Sequence, residues 1–221
     1  MHPASTLRVF IKHPAGLLLG AQVLAIVLDP LMEGAQTGRA GFVVFGNVVL
    51  ALALLVVFRS PFVNWVGLVL ALPAVTISLL ALLGGYTGIL VIGYLFEAAL
   101  YFYAAVGLIV YMLADPDVTI DDLLAAGATF TLLAWAFAFI YSVCQYYVPG
   151  SFNPVEQRSW LDLLFLSFSV LSGVGLSDIT PAAPIARSFV MLEMFTGVMY
   201  IAIVVSRLIA LVSRQRERID K

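Results

Sequence analysis

Leu163–Pro181, LLFLSFSVLSGVGLSDITP, decides how this chain is read. An apolar helical pattern runs from Trp160 to Leu171 and then stops. A helix of that length rises about 18 Å, well short of the roughly 30 Å of a bilayer's hydrocarbon core. Polar and glycine-rich residues follow at once, so the pattern predicts a re-entrant helix that enters the membrane and turns back. Irregular backbone at membrane depth is tolerated only where it is buried in protein or lines water. The segment beginning at Ser172 is therefore the first place to look for function.

The rest of the 221-residue chain supplies the membrane setting. It is 62% apolar and 11% charged, whereas a soluble domain carries about 25% charged residues. One cysteine, Cys144, and a net charge of −2 argue against a disulfide scaffold and a nucleic-acid binder, and the apolar content argues against disorder. Charge-free apolar stretches predict spans at Pro14–Leu28, Ala40–Phe58, Phe62–Leu83, Thr87–Leu113, Leu123–Val148 and Ala186–Val212. The expected fold is an all-α membrane protein of six transmembrane helices plus the re-entrant helix and its loop, with no room for a soluble regulatory domain. No cleavage-like site follows the first apolar stretch, which is read as a span rather than a signal.

Six spans place both termini on one side. Arg8, Lys12, Arg59, Arg207, Arg214, Arg216, Arg218 and Lys221 fall on that side, against Arg39, Arg158 and Arg187 on the other, which predicts cytoplasmic termini. The basic tail is expected to anchor at anionic headgroups. Asp115, Asp117, Asp121 and Asp122 crowd the loop before the fifth span and read as N-terminal helix caps. The chain divides into a four-helix part, residues 1–114, and a part holding the re-entrant segment, residues 115–221.

The Ser172–Asp178 run, SGVGLSD, resembles the filter of the tetrameric potassium-channel superfamily, whose usual pattern is a short pore helix followed by T-x-x-T-V-G-Y-G-D and often a proline. Val174, Gly175 and Asp178 match, Pro181 follows, and the preceding and following spans correspond to that family's outer and inner helices. The resemblance covers roughly the last 100 residues. It implies a homotetrameric cation channel in which Ser172, Gly173, Val174, Gly175, Leu176, Ser177 and Asp178 face the ions. The only metal implied is a monovalent cation in the filter, with potassium the permeant ion and no cofactor. A plasma-membrane location follows from the same resemblance.

The physics of such a filter is explicit. A stripped cation needs its hydration shell replaced by oxygens, and backbone carbonyls from four subunits supply stacked rings of them. Aiming successive carbonyls the same way requires alternating backbone conformations, some with positive φ, which glycine adopts cheaply. A helix C-terminus nearby adds partial negative charge. Several positions depart from the family. Ser177 stands at the second glycine, where a left-handed non-glycine residue costs about 1–2 kcal/mol, so the outer ring is either strained or differently shaped. Leu176 replaces the bracing aromatic, and Phe165 and Leu166 replace its pore-helix partners, which suggests an apolar cuff. Gly173 replaces a threonine, and Ser169 stands where some members carry a buried acid. These changes bear on potassium selectivity more than on the existence of a cation pore, leaving a non-selective cation channel as the alternative.

Gly197, nineteen residues past Asp178, matches the family's inner-helix hinge; close helix packing is the other reading. The fourth span carries no Arg or Lys, which argues against conventional voltage sensing. It does carry Glu97 among Tyr94, Phe96, Tyr101, Phe102 and Tyr103, a stripe read as packing. Intramembrane carboxyls are costly, so Glu97 and Glu193 are candidate proton or cation sensors, or neutral acids satisfied locally by a Tyr or Asn47 and by Ser167 or Ser169. A proton- or ion-coupled transporter using both is the other competing function. Enzymatic chemistry is not expected: Leu176 breaks the aspartyl-protease G-x-G-D, and His2 and His13 are terminal.

Overall fold

The computed structural model of the chain describes residues 14–32, 36–58, 64–84, 87–114, 120–153 and 157–219. Seven helices stand among the described residues: α1 (Pro14–Met32), α2 (Gln36–Val57), α3 (Asn64–Gly84), α4 (Thr87–Ala114), α5 (Ile120–Tyr147), α6 (Trp160–Leu171) and α7 (Pro184–Ile219). Two short strands, β1 (Phe152–Asn153) and β2 (Thr180–Pro181), flank α6 and pair antiparallel. The bounds of α6 coincide with the expected re-entrant helix. Elsewhere the helices overrun the apolar stretches, because backbone bonding continues wherever propensity allows. Thus α7 extends to Ile219 through the good helix formers of the basic tail.

Among the described residues, three helices are by length and composition able to cross a membrane, Gly88–Ala114, Asp121–Tyr147 and Pro184–Arg207, against six spans read from the sequence. The first three helices present shorter apolar stretches, Ala15–Pro30, Phe45–Leu55 and Trp65–Ala81. Helix α5 is the most enclosed of the three long ones, and its apolar residues face all directions, as a central helix requires. Around it, Tyr101 of α4, Leu132, Trp135 and Ala136 of α5 and Leu164 of α6 share one core cluster. The long helix α7 buries a single seam of Ala186, Val190, Glu193, Gly197 and Tyr200, spaced alternately by four and three residues, which is the spacing of one helix face. Met191, Phe195 and Val198 on its other faces are exposed.

Asp121 and Asp122 sit in the first turn of α5, as expected of acidic residues at a helix start, and Tyr111 Oη donates to Asp121 at 3.2 Å. Arg8, Lys12, Arg59, Asp115, Asp117 and Lys221 lie outside the described residues, as do the side chains of Arg39, Arg214, Arg216 and Arg218.

Candidate functional site

The loop after α6 is held at both ends. Ser159 caps the helix: its hydroxyl accepts from Asp162 N at 3.1 Å, and Asp162 accepts in return from Ser159 N at 3.2 Å. Such a reciprocal box satisfies two of the helix's orphan N–H groups. Just upstream, the Gln145 amide pairs twice with the backbone of Arg158, donating to its carbonyl at 3.0 Å and accepting from its N–H at 2.9 Å. That ties the entrance of α6 to the end of α5. The β1–β2 pairing, Phe152 opposite Pro181 and Asn153 opposite Thr180, then fixes the loop's exit to its entrance. Ala182 N adds a bond to Ser151 O at 2.8 Å.

Between these anchors the backbone alternates in hand. Ser172 is right-handed at φ −73°, Gly173 is at +73° and Gly175 at +70°, and no described non-glycine residue has positive φ. Val174, between the two glycines, and Leu176, just after the second, therefore have the opposite hand from them. The N–H groups of the two glycines point back toward the helix: Gly173 N donates to Val170 O at 3.0 Å and Gly175 N to Ser169 O at 3.1 Å. Val174 and Leu176, 70% and 72% exposed in the single chain, project outward. Ser177 has no positive φ, so of the two expected outcomes at this position it is the loop's shape that differs, without left-handed strain. Here Ser177 N donates to Gly175 O at 3.1 Å and Ser177 Oγ accepts from Ile179 N at 3.1 Å.

Of the supporting residues, Leu166 is only 2% exposed and packs with Phe137, Tyr141, Ile179 and Val190, whereas Phe165 is 49% exposed. Leu166 is thus packed within the chain's own core, while Phe165 and Leu176 are both left open. Ser169 is buried and its hydroxyl has no hydrogen-bond partner among the described residues; its carbonyl, not its side chain, serves the loop.

The buried acid behind the loop comes from α7. Glu193 is 0% exposed and bonds to Tyr141 Oη of α5 and Ser167 Oγ of α6. Ser167 Oγ also lies 2.8 Å from Ala134 O. Its single proton serves one acceptor, so satisfying both contacts takes the proton of the Glu193 carboxyl. Three helices meet at this one group. Four residues on, Gly197 lies where a Cβ would run into Leu171 O, the carbonyl ending α6, with Leu171 C at 2.9 Å and Leu171 Cα at 3.0 Å. Helix α7 thus crosses α6 backbone to backbone, which only glycine permits.

The short capped helix, the loop of alternating hand and most of the long following helix lie within one segment that resembles a known family. Residues 128–214 match an ion channel family. The matched ion-channel segment is less than half of the chain and runs from α5 through the loop into α7. It supports an ion channel integral to a membrane and indicates a non-enzyme. No curated protein and no solved structure matches the chain.

Outside the ion-channel segment, Glu97 is half-buried on α4 and accepts from Ser78 Oγ of α3 at 3.5 Å. Within it, the sequence reading missed Tyr141 as the second partner of Glu193. An aromatic hydroxyl in an otherwise apolar span was the available signal. The Ser159/Asp162 box was equally visible, as S-x-x-D directly before an apolar run.

Proposed function

We propose that the protein is a homotetrameric cation channel, carrying potassium, whose filter is formed by residues 172–178. The observation that carries this is the left-handed pair Gly173 and Gly175, separated by Val174, at the end of a short buried helix. Flipping alternate peptide planes is how a strand aims consecutive carbonyls to one side, and four such strands make oxygen rings that replace a cation's water. The C-terminus of α6 adds its negative end to the same place. The exposed apolar circumference of α7 supports assembly with further copies, since one subunit buries only a single seam of it.

In this reading residues 1–114 and 115–221 are a four-helix part and a pore part, the six helices other than α6 cross the membrane, and both termini face the cytoplasm. The basic tail meets anionic headgroups there. Helix α4 carries no Arg or Lys, so the channel does not sense voltage in the usual way. Purified protein in potassium-loaded liposomes is expected to give a cation flux. Gly175→Ala, which forces a side chain into φ +70° at about 1–2 kcal/mol per subunit, is expected to abolish it. A flux unchanged by Gly175→Ala and by substitution of Val174 sinks the filter assignment.

A non-selective cation channel is the second reading, favoured by the absence of a positive φ at Ser177, which departs from the glycine conformation of the family pattern. Reversal potentials in mixed potassium and sodium separate the two. Under the potassium reading the potential follows the potassium gradient. Replacing Leu176 and Ser177 by Tyr and Gly is then expected to sharpen selectivity further. A wild-type potential near zero under those gradients overturns the potassium assignment and leaves the pore intact.

A further inference from the structure

Each of the helices α1 to α6 contributes to the wall of one internal cavity of about 180 Å³, lined among others by Ala25, Phe45, Ser78, Glu97, Trp135 and Trp160. Its chemistry is uneven. One side is an unbroken aromatic wall in which ring centroids run Tyr94 to Phe139 at 5.4 Å, Phe139 to Trp160 at 5.8 Å, Trp160 to Trp135 at 5.1 Å and Trp135 to Tyr101 at 5.9 Å. Beside the rings, between Tyr94 and Tyr101 on the same face of α4, stands the Glu97 carboxyl, whose hydrogen bond from Ser78 is long, at 3.5 Å, and Asp29 of α1 adds a second carboxyl to the lining. No Lys, Arg or His is among the described residues lining the space. Trp135 is 3% exposed, and its indole N–H has no acceptor among the described residues.

A carboxyl at membrane depth either keeps its proton or faces a cation. Aromatic faces attract cations as well, by about 2 kcal/mol or more once water is excluded. A cavity lined by these rings and by the Glu97 and Asp29 carboxyls is thus complementary to an organic ammonium ion, which offers positive charge and apolar surface together. Size sets the limit. An engineered apolar cavity of about 150 Å³ holds benzene, so a cavity of about 180 Å³ takes an aromatic ring plus a small charged substituent, and no lipid or drug-sized molecule.

We propose that this cavity is a binding site for a small organic ammonium ion, and that its occupancy bears on the pore through Trp160. That residue is the first of α6, and α6 ends at the loop of alternating hand. A ligand pressing on the Trp135–Trp160 pair therefore acts on the helix that carries residues 172–178. The binding half of the proposal stands on the cavity alone; the coupling half rests on the channel reading.

Benzylammonium is the probe, with benzyl alcohol as its uncharged counterpart. Full-length protein carrying Trp65→Phe, which removes the tryptophan that does not line the cavity, is placed in nanodiscs and titrated by intrinsic fluorescence. A saturable change with benzylammonium is expected, weakened at least about tenfold by Glu97→Gln. Gly46→Leu is the second variant. It keeps Glu97 and fills the cavity, since a Cβ at Gly46 meets nothing within 4 Å, and it is expected to abolish the change. A response reproduced by benzyl alcohol, or insensitive to both variants, overturns the site. In liposomes, benzylammonium is expected to alter potassium flux in wild type and not in Gly46→Leu. An effect equal in both is block of the pore itself and overturns the coupling. Binding is read without flux, so a protein that binds and does not conduct counts against the channel reading and leaves the site standing.

Discussion

Gly197→Ala is expected to destabilise the protein by about 3 kcal/mol and, on the proposed channel reading, to abolish flux. The new methyl carbon would run into Leu171 O and fall 2.9 Å from Leu171 C. All the nearest atoms are backbone, so no flexible side chain is present to yield. Either α7 backs away from α6 along its seam, or the C-terminus of α6 moves, taking Ser172 and the alternating loop with it. A plain hinge predicts the opposite sign. Alanine in a helix interior is favoured over glycine by about 1 kcal/mol, so a residue needed only for bending would leave the alanine variant more stable with altered opening. Denaturant titration of the detergent-solubilised protein reads the difference directly. A Gly197→Ala protein as stable as wild type would remove the close-packing account.

Glu193 gives the second large effect, and its two variants diverge. Glu193→Leu leaves the Tyr141 hydroxyl, which is fully buried, without its acceptor, and an unsatisfied buried donor costs about 1–3 kcal/mol. The loss uncouples α5, α6 and α7 at one point, so lower stability and weaker flux are expected together. Glu193→Gln keeps the pattern: its carbonyl accepts from Tyr141 and its amide donates to Ser167, releasing the Ser167 proton to Ala134 O. A change within about 1 kcal/mol and near wild-type flux are expected of it. Were the carboxylate charge itself needed, Gln would fail as Leu does. Tyr141→Phe combined with Glu193→Leu adds a double-mutant check, because the pair should cost less than the sum of the two.

Local rules carried the sequence reading a long way. A 12-residue apolar run bounded by Ser159 and a glycine-rich stretch specified α6 to the residue, because length, capping and hydropathy all act within one helix. Gly173 and Gly175 announced positive φ for the same kind of reason. What stayed hidden depends on neighbours far along the chain. Glu193 and Tyr141 are 52 residues apart, and their bond depends on how α5 and α7 cross, which no periodicity encodes. Leu166 offered no sign, by type or spacing, that it turns into the chain's own core rather than toward Leu176. Likewise Gly197 reads the same in sequence whether it bends a helix or admits a carbonyl.

The shared cavity also bears on modularity. Its wall takes residues from both sides of the connection between α4 and α5, and so does the main core cluster, which joins Tyr101 and Leu108 to Leu132 and Leu164. Grafting the ion-channel segment onto another protein's four-helix part would bring Trp135, Phe139 and Trp160 with half of their enclosure missing. Chimeras cut at that connection need the aromatic wall and Glu97 transferred as one piece.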